Sequence, residues 1–134
     1  MKYLLDTNIC IYLIKSKPLS VLQAFQGCAV GDVGVSSITV AELTFGVHKS
    51  QHAAQNGRAL EQFLLPLIVA DFDYPASLMY GALRAQLERQ GTPIGALDML
   101  IAAHALSLKI TLVTNNIKEF TRVPHLKVVN WVKE

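Results

Sequence analysis

An α/β fold built on a parallel sheet is what this sequence predicts, and three observations predict it. Five short segments rich in branched apolar residues recur along the chain. Helical patterns fill the intervals between them. At 134 residues the chain has room for one hydrophobic core, so a single domain over 1–134 is expected. Strands that alternate with helices run parallel, joined by right-handed crossovers with helices on both faces of the sheet.

The first strand is expected at Lys2–Asp6, after which Thr7 or Asn8 caps a helix through Lys15. Pro18 suits the first turn of a second helix, which stops at Gly27. Val33–Ser36 reads as the second strand, Ser37 opens a helix to about Lys49, and Gln51–Leu65 forms another. The third strand is Leu67–Ala70. Pro75–Gln90 is the longest helix, with Leu78, Ala82, Ala85 and Leu87 on its apolar face and Gly91 as its stop. Thr92–Gly95 is a turn, and Ala96–Leu108, apolar almost all round, is a buried helix. Ile110–Thr114 and Lys127–Asn130 complete five strands.

Hydrophobic residues make up 51% of the chain and charged residues 16%, which excludes intrinsic disorder. Twelve Lys+Arg against ten Asp+Glu leave +2, too little for a polycation that binds nucleic acid by charge alone. The apolar fraction exceeds the needs of one small core and predicts an interface with another chain. No membrane span is expected, because the most apolar stretch, Phe63–Phe72, is short and interrupted by Pro66 and Asp71. Asp6 ends the N-terminal apolar run before a signal-peptide core forms. Cys10 and Cys28 lack metal-ligand spacing and read as free thiols, which suits the cytoplasm.

In a parallel α/β fold the strand C-termini and the following helix N-termini share one edge, where ligands bind. Asp6, Glu42, Asp98 and the run Thr114-Asn115-Asn116 are all delivered to that edge. Carboxylates gathered there repel one another unless a cation neutralises them. An acidic set without histidine favours Mg²⁺ or Mn²⁺ over zinc. Such an ion acidifies water and stabilises charge on phosphate oxygens, the chemistry of phosphodiester hydrolysis.

These residues carry a resemblance. The segments LLDTN (4–8), SSITVAELTFG (36–46), GTPIGALDMLIAAHA (91–105) and VTNNIKEF (113–120) together resemble the PIN-domain ribonucleases, and within them the VapC toxins of bacterial VapBC toxin–antitoxin pairs. The resemblance runs end to end and implies a five-stranded parallel sheet flanked by helices. It implies that Asp6, Glu42 and Asp98 bind metal, that Thr114 braces Asp6, and that Asn8 lies beside the site. Where the family often has a fourth aspartate this chain has Asn116, with Glu119 one turn later as the substitute acid. It further implies a Mg²⁺-dependent endoribonuclease acting on cellular RNA, with tRNA the expected substrate and a 5′-phosphate and 3′-hydroxyl as products. A VapB-like antitoxin, a toxin homodimer and a larger complex that meets operator DNA through the antitoxin belong to the same expectation.

Plainer readings stand beside these. Asp6 serves as a helix cap, Thr39–Glu42 as a capping box, and Asp98 as a complement to a helix dipole. Glu119 is merely solvated, and His48 and His52, four apart on one helix, are surface residues lacking the zincin glutamate. His104 is a hydrogen-bonded core residue, and Tyr3, Phe25, Phe45, Phe63 and Tyr80 fall at core spacings. Arg84 and Arg89 flank the approach to Gly91–Gly95 and are candidates for RNA phosphates. The competing function is a non-catalytic binding module, either an inactive PIN domain or a receiver-like phospho-acceptor using Asp71 or Asp73.

Overall fold

The computed structural model describes residues 1–133. In chain order the elements are β1 (Tyr3–Leu5), α1 (Thr7–Ile14), α2 (Leu19–Gln26), β2 (Val33–Ser36), α3 (Ser37–Lys49) and α4 (Ala53–Leu64). Then come β3 (Ile68–Ala70), α5 (Tyr74–Gln90), α6 (Ala96–Leu108), β4 (Thr111–Val113), α7 (Ile117–Phe120) and β5 (Val128–Val129). All strand pairings are parallel, in the order β3-β2-β1-β4-β5. The expected fold class is the observed one.

Strand periodicity sorts the core into two layers. Adjacent side chains in a strand face opposite sides of the sheet. Leu4 and Leu112 therefore join Leu83, Leu87, Ile101 and Phe120 under α5–α7, while Leu5 and Val113 join Ile9, Leu13, Val35 and Leu60 under α1–α4. The buried helix expected at Ala96–Leu108 is found, with Met99 and Ile101 through Ala105 enclosed. Gly91 ends α5 in the left-handed conformation (φ 69°), where a residue without Cβ carries no steric cost.

Several expectations are corrected. The cap of α1 is Asp6, whose carboxylate accepts from Ile9 N at 2.9 Å, and not Thr7 or Asn8. The helix expected from Gln51 starts at Ala53, because Ser50 leaves α3 in an extended conformation and the chain turns through His52. His48 and His52 thus lie on either side of that break rather than on one helix.

The inward face of α5 is Ala76, Leu83 and Leu87, with Leu78 58% exposed. Two overlapping stripes satisfy a 3.6-residue period in this alanine-rich helix, and packing against α6 selects the one carrying Leu83 and Leu87. Phe45 is not a core residue. It is 67% exposed on α3, whose buried side is Thr39 and Leu43, and the Lys49 ammonium lies 5.9 Å above its ring. Both cysteines are free, Cys10 buried and Cys28 half-buried. Among the described residues no helix is long and apolar enough to cross a membrane.

Candidate active site

Strand β1 pairs with β2 on one side and β4 on the other, so the chain changes direction across the sheet between β1 and β4. A crevice opens at the C-terminal ends of strands at such a point. Asp6 follows β1 and Thr114 follows β4, so these two residues flank it.

Asp6 is buried at 5% exposure. One oxygen accepts from Ile9 N at 2.9 Å and the other from the Thr114 hydroxyl at 2.5 Å. Burial pushes its proton affinity up, the hydrogen bonds from Thr114 and Ile9 pull it down, and the charge of Glu42 pushes it up again. The two oxygens of Asp6 thus have different partners, one on the helix it caps and one on the threonine that follows β4.

Glu42 is half-buried in α3, and its Oε1 accepts from the Thr7 hydroxyl at 2.8 Å. The capping-box reading fails, because the cap of α3 is Ser36, whose hydroxyl accepts from Ile38 N at 3.1 Å, and Thr39 lies inside the helix. Asp98, half-buried in the first turn of α6, has its carboxyl pushed up to about 6. Burial is the main cause, followed by the charges of Glu119 and Asp6, a hydrogen bond to Glu119, and the charge of Glu42.

Glu119 reaches back across 24 positions to accept from Gly95 N at 2.8 Å, and Asn116 Nδ2 donates to its other oxygen at 2.5 Å. The backbone donor at Gly95 is the main reason its carboxyl is held below the usual range. A carboxylate at Gly95 N caps the start of α6, where the helix dipole favours negative charge. Glu119 is not a merely solvated residue. Arg122, which donates to Pro93 O at 3.0 Å, adds a further pull on it.

Thus Asp6, Glu42, Asp98, Thr114, Asn116 and Glu119 come together. Asn8 lies beside them, with its backbone N–H toward the Asp6 carboxylate and its side chain exposed. Arg84 and Arg89 are exposed on α5, and Arg84 is engaged by Glu88 and the Tyr80 hydroxyl, each at 3.1 Å. The bonds made by Thr7, Gly95 N and Arg122 are not legible in the sequence, because each reaches a partner 24 or more positions away. His104 is the buried, hydrogen-bonded core residue expected, with Nδ1 2.8 Å from Ser36 Oγ and its proton affinity lowered by burial.

Among the described residues no three acidic, histidine or cysteine side chains form a ready-made ion cage. Thr7, Thr114, Ile9 N, Gly95 N and Asn116 hold the acid oxygens instead. The donor set nonetheless fits a hard divalent cation: carboxylate oxygens from separate chain segments, close enough to raise the proton affinity of Asp98. The receiver-like reading is overturned by topology. It requires the third strand inside the sheet, in order 2-1-3-4-5, whereas β3 is an edge strand and the acid beyond it, Asp73, caps α5 through Ala76 N.

A PIN-domain family model matches residues 3–126. The chain is 46% identical over 134 residues to ribonuclease VapC2 of Rickettsia felis, covering 99% of this chain and 100% of that protein. It is 44% identical over 131 residues to the tRNA(fMet)-specific endonuclease VapC of Shigella flexneri, covering 98% of each. Among solved structures it is similar to VapBC2 from Rickettsia felis bound to a DNA fragment from its promoter, with TM-score 0.92, 45% identity and 98% and 100% coverage. DNA-bound VapBC from Salmonella typhimurium gives TM-score 0.94 at 40% identity, covering 98% of this chain and 99% of that one.

Proposed function

This chain belongs to the PIN-domain family, as a VapC-type endoribonuclease, and from that premise we propose the substrate, the ion and the residues of its reaction. The substrate is a tRNA, with initiator tRNA the first candidate because the Shigella flexneri relative is named for it. The ion is Mg²⁺, with Mn²⁺ able to replace it. The toxin is held inactive by a VapB-like antitoxin.

One observation carries this reading. Asp6, Glu42, Asp98 and Glu119 converge at the crevice between β1 and β4, near enough that the other three all raise the proton affinity of Asp98. Asp6, Glu42 and Asp98 hold the ion. When bound, it supplies Lewis-acid stabilisation of phosphate charge and lowers the pKa of water. Thr114 and Ile9 N keep the Asp6 carboxylate oriented. Glu119, fixed by Gly95 N and Asn116, stands beside Asp98 and orients the attacking water or accepts its proton. Hydrolysis by water leaves a 5′-phosphate and a 3′-hydroxyl.

A groove of about 480 Å³ between α1, α3 and α4 begins at Thr7 and Glu42 and is lined by Ile11, Ile14, Val47 and Leu60. Its apolar walls suit an amphipathic antitoxin segment that ends over the site. A homodimer and a larger toxin–antitoxin assembly, which reaches operator DNA through the antitoxin, complete the reading.

The test is cleavage of total RNA by purified chain with Mg²⁺ or EDTA, against Asp6→Asn and Asp98→Asn. Discrete fragments from one or a few tRNAs, lost with EDTA and in both variants, are expected. Cleavage surviving both substitutions, or none by folded protein freed of antitoxin, overturns the reading.

A further inference from the structure

We propose that Thr7 is a positioning residue for Glu42, holding one oxygen of that carboxylate so that the other faces the cation. The inference rests on the site proposed above and assigns a role to a residue that the acids alone do not require.

Thr7 is the first residue of α1, directly after Asp6. A threonine inside a helix commonly returns its hydroxyl to the carbonyl one turn earlier. At the first helical position no such carbonyl exists, and the cap is already supplied by Asp6. The Thr7 hydroxyl is therefore free to leave its own helix. It donates to Glu42 Oε1 at 2.8 Å, across 35 positions, and so links α1 to α3.

Glu42 needs such a link. Its side chain has three rotatable bonds and is only half-buried, so packing alone leaves the carboxylate several orientations. The Thr7 bond fixes Oε1, and among the described residues Oε2 has no hydrogen-bond partner. Thr114 likewise bonds Oδ2 of Asp6 from across the crevice, while Ile9 N bonds its Oδ1. Each of these acids is thus braced by one threonine hydroxyl. Partners of this kind orient metal-binding carboxylates, and losing one typically costs about 10–100-fold in metal affinity or activity.

The experiment titrates Mn²⁺ into wild type, Thr7→Val, Thr7→Ser, Glu42→Gln and Thr7→Val/Glu42→Gln, reading free Mn²⁺ by electron paramagnetic resonance. Single-turnover RNA cleavage and thermal unfolding run alongside. Thr7→Val, similar in shape but without the hydroxyl, is expected to fold, to weaken Mn²⁺ binding about 10-fold and to lower the cleavage rate without changing RNA affinity. Thr7→Ser should retain near wild-type binding. In the Glu42→Gln background Thr7→Val should add nothing, because the two residues act as one unit. If Thr7→Val matches wild type while Glu42→Gln is impaired, the positioning role is wrong and the site stands. A Thr7→Ser protein that folds but fails like Thr7→Val also overturns the role. If Glu42→Gln itself binds Mn²⁺ and cleaves as wild type, the site reading falls.

Discussion

Thr114 and Asp6, 108 positions apart, are joined by a hydroxyl-to-carboxylate hydrogen bond of 2.5 Å that spans the crevice between β4 and β1. Both residues are buried, at 0% and 5% exposure, so neither finds water as an easy substitute partner. The same Thr114 oxygen accepts from Asn116 N at 2.9 Å, which ties Asn116, and with it the start of α7 on which Glu119 stands, to the first acid.

Thr114→Val keeps the side-chain shape and removes that donor. Loss of a hydrogen bond to a buried carboxylate is expected to cost about 1–3 kcal/mol, read from urea unfolding in EDTA. The Asp6 carboxyl should titrate higher in the variant, since the Thr114 bond is the largest influence lowering it. RNA cleavage should fall with it.

Asp98→Asn should stabilise the metal-free protein while abolishing cleavage. The Asp98 carboxyl titrates at about 6 in the fold against 3.8 ordinarily, so the native state holds its proton more tightly than the unfolded chain. Its contribution to stability is full below about pH 4 and is lost as pH rises through 6. The stability gain of the variant over wild type should therefore be present at pH 7 in EDTA and should vanish near pH 4.

Glu119→Gln tests the pairing of Glu119 with Asp98. The charge of Glu119 is the leading cause after burial for the raised Asp98 value, so the Asp98 carboxyl should titrate lower in the variant, followed by carbon NMR. Glutamine still offers Gly95 N an acceptor, so α6 should remain capped and the fold intact. An unchanged Asp98 titration would show that the two do not interact.

Arg89→Ala addresses the RNA contact. Arg89 is exposed in the last turn of α5 and among the described residues makes no ion pair. If it meets a phosphate, its removal should weaken RNA affinity at low salt and reduce the salt slope by about one charge. Arg84→Ala should do less, since Glu88 already engages that guanidinium. Unchanged affinity and slope for Arg89→Ala would remove it from the interface.

Gly34→Ala should destabilise the fold by about 1–3 kcal/mol and leave activity per folded molecule intact. A Cβ there would stand 2.8 Å from the Ile68 carbonyl oxygen and collide with the Met1 sulfur. The methionine can swing away, but the carbonyl belongs to the β2–β3 pairing and cannot. Denaturant midpoints compared with single-turnover rates separate the two effects.

Local chemistry made most of the architecture legible. Branched apolar triplets, Pro18, Gly91 and the acid after the first strand act over three or four residues, and backbone period and capping are set at that range. Hence the five strands and the long helices are legible within a few residues of their ends, and Asp6 is legible as the acid that closes the first strand. What remained hidden depends on which segment lies opposite. The exposure of Phe45, the inward stripe of α5, the bond from Thr7 to Glu42, and the reach of Glu119 to Gly95 are such cases. A hydrogen bond forms only when donor and acceptor come within about 3 Å. Whether residues 24, 35 or 108 positions apart do so follows from strand order and helix packing, and only the folded chain settles it.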